Sequence, residues 1–147
     1  MNIDNQLIVI KTPKNNKFLA VIDIDKEFTT NEGKFKFSQI KNIPSLVETS
    51  TGVYFKIYKP SYKEFVLLMK RGPQIIYPKD VSQIVLESNI HNSSKVLEIG
   101  SGSGALTLYL YTLLKNTGVL FSLDSSKMNQ RRADKTISRY ISTLSLE

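Results

Sequence analysis

A glycine-rich loop between a short apolar strand and an apolar helix constrains the fold of this chain more than any other sequence feature. The run KVLEI at 95–99 is typical of a short buried strand, and the apolar spacing at 104–115 predicts a helix. A second apolar run, GVLFSL at 118–123, predicts another strand, and 126–141 predicts a further helix. Strand, loop, helix and strand form one βαβ unit, so we expect two parallel strands joined by a right-handed crossover.

The segment before residue 60 has the alternation of a small β module. Apolar runs at 6–11 and 17–24 flank a polar stretch that begins at Pro13, which predicts a hairpin. Alternation returns at Phe35 and continues in the run 53–57, whereas helical periodicity is weak throughout this part of the chain. We therefore expect four or more strands here.

Helix-start signals mark the passage from the β module to the α/β part. Ser61 and Glu64 have the spacing of a capping box, in which each side chain satisfies a free amide of the other's residue. Asp80 is expected to be the N-cap of a helix that ends near residue 89. The fold class is therefore α+β overall, with an expected division into a β module (1–59), a basic helical connector (60–79) and an incomplete Rossmann-like α/β domain (80–147).

Composition excludes several classes of function. The chain has no cysteine and a single histidine, which excludes thiol catalysis and cysteine-bound zinc and argues against a histidine-based metal cluster, so we expect no metal site. No apolar run approaches the roughly 18 residues of a membrane span. With 41% hydrophobic and 22% charged residues, the composition is that of a globular protein with one core. We expect no membrane partner.

The positive charge is concentrated in one segment. The net charge of the chain is +7, and residues 51–79 alone contribute +5. Aromatic residues are interleaved with the basic ones, a combination that suits a polyanion with bases to stack on, such as RNA. A solvated lysine face is the alternative explanation. The candidate RNA-binding residues are Lys56, Lys59, Lys63, Lys70, Arg71 and Lys79.

The glycine loop is compatible with two cofactor classes. Gly100, Gly102 and Ala105 satisfy the dinucleotide pattern G-x-G-x-x-G/A, so a nicotinamide enzyme must be considered. The third glycine, Gly104, and the acid Glu98, which stands two residues before the first glycine, instead favour S-adenosylmethionine (SAM). A SAM methyltransferase places an acid at this position, where it organises the loop around the cationic amino-acid end of the cofactor.

A second acid stands where the ribose of either cofactor would lie. Asp124 ends the second predicted strand, 24 residues after Gly100, where a carboxylate can accept hydrogen bonds from both ribose hydroxyls. Two simpler explanations stay open: Glu98 could be an ordinary carboxylate at a strand end, and Asp124 could be the N-cap of the following helix.

Two runs together resemble a known family. KPSYKEFVLLMKRGPQIIYPKD at 59–80 and KVLEIGSGSGALTLYL at 95–110 are similar to the tRNA (adenine-58-N1)-methyltransferases of the single-subunit bacterial, archaeal and mitochondrial type. The resemblance implies a small β domain before a class I SAM fold. It also implies methyl transfer from SAM to N1 of the adenine at position 58 of tRNA, related subunits in a homo- or hetero-oligomer, and work in the cytoplasm or the mitochondrial matrix.

The resemblance also implies which residues contact SAM. Gln74 and Tyr77 match a segment that lies over the cofactor in relatives, and Asn129 matches a contact five residues past the acid. With the loop and the second acid, the expected set is Gln74, Tyr77, Glu98, Gly100, Ser101, Gly102, Ser103, Gly104, Ala105, Asp124 and Asn129.

The family's catalytic aspartate follows the fourth strand of the fold, and this sequence contains only two such strands before Glu147. We therefore assign no catalytic residue. A truncated, inactive paralogue that binds RNA or a full-length subunit is the alternative expectation.

Overall fold

The computed structural model describes residues 3–69, 74–115 and 117–144, and it divides the chain into two compact units. The first unit comprises the chain up to Leu68 together with the residues from Ser142 onward, and the second comprises Met69–Ile141. The three-part division expected from sequence stays a prediction.

The first unit is built on an antiparallel sheet. Its strand order is β2-β1-β6-β5, and β3 and β4 form a separate two-stranded hairpin. The pairing of β1 with β2 confirms the hairpin expected from the first two apolar runs. The strands of this unit are β1 (Leu7–Lys11), β2 (Lys17–Val21), β3 (Glu27–Thr30), β4 (Gly33–Lys36), β5 (Ser45–Glu48) and β6 (Tyr54–Tyr58), and a 3₁₀ helix spans Phe37–Gln39.

The core of the first unit lies between the sheet and the hairpin. Successive side chains of a strand point to opposite faces, and both faces of β1 are buried. The hairpin contributes aromatic rings, with Phe35 in edge-to-face contact with Phe55 and Phe37. The buried cluster consists of Ile8, Ile10, Ile22, Phe35, Phe37, Ile40, Val47, Phe55 and Ile57.

Helix α1 (Tyr62–Leu68) packs against β2 and begins at the expected capping box. The Ser61 hydroxyl accepts from the Glu64 amide at 3.2 Å, and the Glu64 carboxylate accepts from the Ser61 amide at 3.3 Å. Glu64 also accepts from Lys17 and from the Tyr58 hydroxyl. Burial by itself would raise the pKa of Glu64, but the hydrogen bonds from Lys17, Tyr58 and Ser61 outweigh it and lower the pKa to about 2.

The second unit contains the expected βαβ arrangement. Strands β7 and β8 are parallel, with Glu98 opposite Ser122 and Ile99 opposite Leu123. One expectation was wrong: the helix after Tyr77 begins at Pro78, so Asp80 lies in its first turn and is not its N-cap. The elements are α2 (Pro78–Glu87), β7 (Lys95–Ile99), α3 (Ala105–Leu114), β8 (Val119–Leu123) and α4 (Lys127–Leu144).

The two faces of this small sheet differ in burial. The face toward α3 carries Glu98, which is only 7% exposed. The other face is apolar and open, with 80% of Ile99 and 61% of Phe121 exposed. Across the part of the chain that the structure describes, no helix combines the length and apolar character needed to cross a lipid bilayer.

Candidate cofactor site

The glycine loop links the carboxyl ends of the two parallel strands. The amides of Gly100 and Ser101 both donate to the Leu123 carbonyl, at 2.7 and 3.2 Å, which ties the start of the loop to the end of β8. Gly100, Gly102 and Gly104 have φ of 94°, 54° and 79°. These left-handed conformations favour glycine, which explains the three glycines at alternate positions.

The end of the loop packs closely on α4. A Cβ atom added at Gly104 would lie 2.7 Å from the Cα of Ala133. The Thr136 hydroxyl donates to the Ser103 carbonyl at 2.9 Å, and Ser103 itself is buried. Gly104 also serves as the N-cap of α3, and its carbonyl accepts from the Leu108 amide at 2.9 Å. The loop is therefore held between two helices as well as between two strands.

Glu98 lies beneath the loop rather than in it. Its Oε2 atom accepts from the Thr107 hydroxyl of α3 at 2.6 Å and from the Ser122 hydroxyl of β8 at 2.5 Å. A buried carboxylate is costly unless it is hydrogen-bonded, and these two donors satisfy that need. The carboxylate thus joins three elements below the loop, while its expected role toward the cofactor stays a prediction.

Asp124 is at the centre of the site. Its carboxylate accepts from the Gly102 amide at 2.9 Å and from the Ser126 amide at 2.8 Å, and the Asn129 side chain donates to it at 3.3 Å. The Gly102 bond is the main cause of the lowered pKa of Asp124, followed by the Ser126 bond and by weaker contributions from Asn129 and Ser101. Asp124 is therefore a well-oriented carboxylate that stays ionised at neutral pH.

The loop leaves room and polar capacity for a ligand. Apart from the neighbouring residues in the chain, no atom of the described residues lies within 4 Å of where a Cβ would stand on Gly100 or Gly102, in contrast to the crowded position at Gly104. The Ser101 hydroxyl is buried with its residue and makes no hydrogen bond of good geometry within the described residues, although it lies near enough to Asp124 to affect its pKa. A hydroxyl can donate one hydrogen bond and accept two, so Ser101 keeps capacity for a ligand beside Asp124. The site fits a ligand with both donor and acceptor groups.

The remaining expected cofactor residues lie around this centre or before α2. Ala105 is buried and begins α3 directly after the loop. Gln74 is exposed and Tyr77 is 40% exposed, just before α2. The structure thus brings the glycine loop, Asp124 and Asn129 together, and the contacts expected of Gln74 and Tyr77 stay predictions.

The candidate RNA-binding residues fall in both units. Lys56 and Lys63 are exposed and Lys59 is half-buried in the first unit. Lys79, in the second unit, is exposed and lies 4.0 Å from Asp80. Lys70 and Arg71 lie outside the described residues.

Sequence reasoning missed the side chains that support the loop. Ser122 could have been found, because placing the two strands in parallel register sets it opposite Glu98. Thr107 is a hydroxyl on a helix whose other buried residues are apolar, which is a weaker signal. Thr136 and Ala133 leave no signal in the sequence pattern. Among the residues that the structure describes, no group of side chains could hold a metal ion.

Comparison with known families shows which family the chain belongs to. The family model for the tRNA methyltransferase complex GCD14 subunit matches residues 54–143. The chain belongs to the GCD14 family. This match confirms the resemblance to the tRNA (adenine-58-N1)-methyltransferases found from sequence.

Individual proteins resemble this GCD14 family member in sequence or in fold. The tRNA (adenine(58)-N(1))-methyltransferase TrmI of Thermus thermophilus is 32% identical over 92 residues, 63% of this chain and 36% of that protein. A SAM-dependent O-methyltransferase from Thermotoga maritima superposes with a TM-score of 0.90 at 23% identity over 97% of this chain and 54% of its own. TrmI from Aquifex aeolicus superposes with a TM-score of 0.78 at 28% identity over 94% of this chain and 53% of its own.

These solved structures confirm the expected fold class, a β-rich N-terminal region followed by Rossmann-like elements. The chain spans about half the length of the solved relatives and about a third of the Thermus protein.

Proposed function

We propose that this chain supplies the SAM-binding part of a tRNA methyltransferase that forms N1-methyladenosine at position 58 of tRNA. One observation carries the proposal: a glycine loop and an ionised Asp124 meet at the carboxyl ends of two parallel strands, in a chain of the GCD14 family. Ligands of open α/β sheets bind at this edge. The Thermus relative is named a tRNA (adenine(58)-N(1))-methyltransferase, which supports the choice of tRNA as substrate and of position 58.

Several residues of the site are proposed to hold SAM. Asp124 would accept hydrogen bonds from the two ribose hydroxyls, and Asn129 and Ser126 keep its carboxylate in place. Gly100 and Gly102 would let the backbone approach the ligand, because no side chain of the other described residues fills the space beside them. The buried Ser101 hydroxyl, beside Asp124, would contact the cofactor as well.

The proposed contribution of this site to the reaction is to orient the methyl donor. SAM, when bound, supplies an electrophilic methyl group for in-line transfer to adenine N1. The residues of this chain would hold the ribose and the part of the cofactor that lies against the glycine loop. Holding the cofactor in this way lowers the entropic cost of aligning its methyl group with adenine N1. The target base must leave its stack to reach such a pocket. Asp134, an acid of α4, is exposed and follows no strand, so we assign no catalytic residue among the described residues.

The basic residues of the first unit are proposed to contact tRNA. Lys56, Lys59 and Lys63 provide cations for phosphate groups, and Lys79 of the second unit adds another. Lys70 and Arg71 lie outside the described residues, and they are included in this proposal because of their positions in the basic segment of the sequence. The family description as a complex subunit supports a further proposal, that the chain works with other subunits, identical or related.

Calorimetric titration tests the cofactor. We expect SAM and its demethylated product to bind to the 147-residue chain more tightly than NAD does. Asp124→Asn should weaken SAM binding about tenfold to a hundredfold, because a hydrogen bond to a charged group contributes about 1.5–3 kcal/mol. Asp134→Asn removes the same charge from an exposed position of α4 and is the matched control.

Tighter binding of NAD than of SAM would overturn the cofactor assignment. Equal SAM affinities of the two variants would remove Asp124 from the site. Thermal melting of both variants shows whether a loss of affinity reflects a loss of folding.

A further inference from the structure

Helix α4 carries a line of basic side chains that the cofactor site does not use. The helix has five lysine and arginine residues against one acid, Asp134. Lys127, Arg131 and Lys135 follow one another at intervals of four residues, so they lie along one side of the helix, about 6 Å apart in rise. All three are exposed. These three residues are called the α4 stripe below.

The opposite side of α4 is fixed to the glycine loop. Ala133 is 5% exposed and packs on Gly104, and Thr136 donates to the Ser103 carbonyl. The helix therefore cannot turn its basic side inward without leaving the loop. As a result, the α4 stripe stands on the solvent side of a helix whose other side supports the proposed cofactor site.

The charges of the stripe do not serve the stability of α4. The first residue of α4 is the cation Lys127, which the helix dipole disfavours at this end, and the last turn has no basic residue to interact favourably with the dipole. Like charges four residues apart, as in Lys127 with Arg131 and Arg131 with Lys135, destabilise a helix. Among the ion pairs formed by the described residues, none involves the stripe. An external anion would relieve this repulsion.

We propose that the α4 stripe binds the phosphate backbone of tRNA. The inference rests on the proposed function, because α4 supports the loop that would hold the methyl donor, and the substrate must come close to that donor. A regular row of cations can contact successive phosphates of one RNA strand, and such phosphate contacts do not depend on the base sequence. The α4 stripe thus positions the RNA beside the site, separately from the lysines of the first unit.

Paired variants of the full chain test this inference. Arg131→Gln with Lys135→Gln removes two charges of the stripe, and glutamine keeps a similar helix propensity. Lys95→Gln with Lys115→Gln is the matched control, because both lysines are exposed in the same unit. Lys95 begins β7 and Lys115 follows α3, so they lie at the end of these elements away from the loop.

The readout is the affinity for an unmodified tRNA transcript, measured by fluorescence anisotropy at several salt concentrations. We expect the stripe variant to reduce the slope of log K against log salt by roughly 1.4–1.8, since each lost contact accounts for about 0.7–0.9. The control should keep the slope of the original chain. Equal effects of the two pairs would overturn the inference, because net charge alone would then explain binding.

SAM titration of the same variants separates this inference from the proposed function. A reduced salt slope with unchanged SAM affinity supports the stripe as an RNA contact. A reduced slope in a protein that binds no SAM upholds the stripe and refutes the cofactor proposal. Loss of SAM affinity in the stripe variant, or stripe-dependent binding to phosphatidylserine vesicles without binding to tRNA, would overturn the inference.

Discussion

Two alanine substitutions in the glycine loop should separate its structural role from its binding role. At Gly104, with φ of 79°, an added Cβ would lie 2.7 Å from the Ala133 Cα and 3.2 Å from its carbonyl oxygen. A left-handed alanine costs about 1–2 kcal/mol, and forcing atoms into a packed contact costs about 1–3 kcal/mol more. Gly104→Ala should therefore lower the free energy of unfolding by about 2–5 kcal/mol.

Gly102→Ala is the matched comparison. Gly102 also has a left-handed backbone, with φ of 54°, but an added Cβ would meet no atom within 4 Å among the described residues beyond its chain neighbours. The conformational cost of about 1–2 kcal/mol is then the whole cost in stability. The new methyl group nevertheless enters the space that the proposed cofactor needs. Gly102→Ala should fold but bind SAM weakly.

Urea unfolding followed by circular dichroism measures the first effect, and calorimetric titration with SAM measures the second. Equal losses of stability in the two variants would refute the packing of the loop on α4. An unchanged SAM affinity in Gly102→Ala would show that the cofactor does not lie against the glycine backbone.

Two further predictions concern charged groups of the framework. The pKa of Glu64 is about 2 in the folded chain against 4.5 ordinarily, so its stabilising effect is complete above about pH 4.5 and is lost as the pH falls toward 2. Urea unfolding free energies of the original chain and of Glu64→Gln should differ by about 1–3 kcal/mol at pH 6, and this difference should shrink as the pH falls from about 4.5 through 2. A difference that stays constant over this range would contradict the assignment. Thr107→Val removes a donor to the buried Glu98 and should cost about 1–3 kcal/mol in urea unfolding. Thr112→Val, which removes only a hydrogen bond to the nearby Tyr109 carbonyl, should cost less, and equal costs would show that Glu98 does not depend on Thr107.

Much of the fold could be predicted from sequence because its signals are local. The βαβ unit follows from apolar periodicity and from glycines where a strand passes into a helix, and both strands lie within one residue of their expected bounds. The capping box at Ser61 depends on residues three apart and was also foreseen. The expected N-cap at Asp80 was wrong because a competing local signal, Pro78 in the first turn, begins the helix earlier.

The sequence by itself thus determined the kinds of elements, their order and the two acids at the ends of the parallel strands. Only the tertiary structure decided what those acids do. It placed Glu98 where hydroxyl groups of α3 and β8 donate hydrogen bonds to it, and it turned Asp124 toward the Gly102 amide. It also set Ala133 against Gly104, which leaves the α4 stripe in solvent. These contacts join residues 9 to 29 positions apart, and such pairings depend on how whole elements pack, which no local pattern encodes.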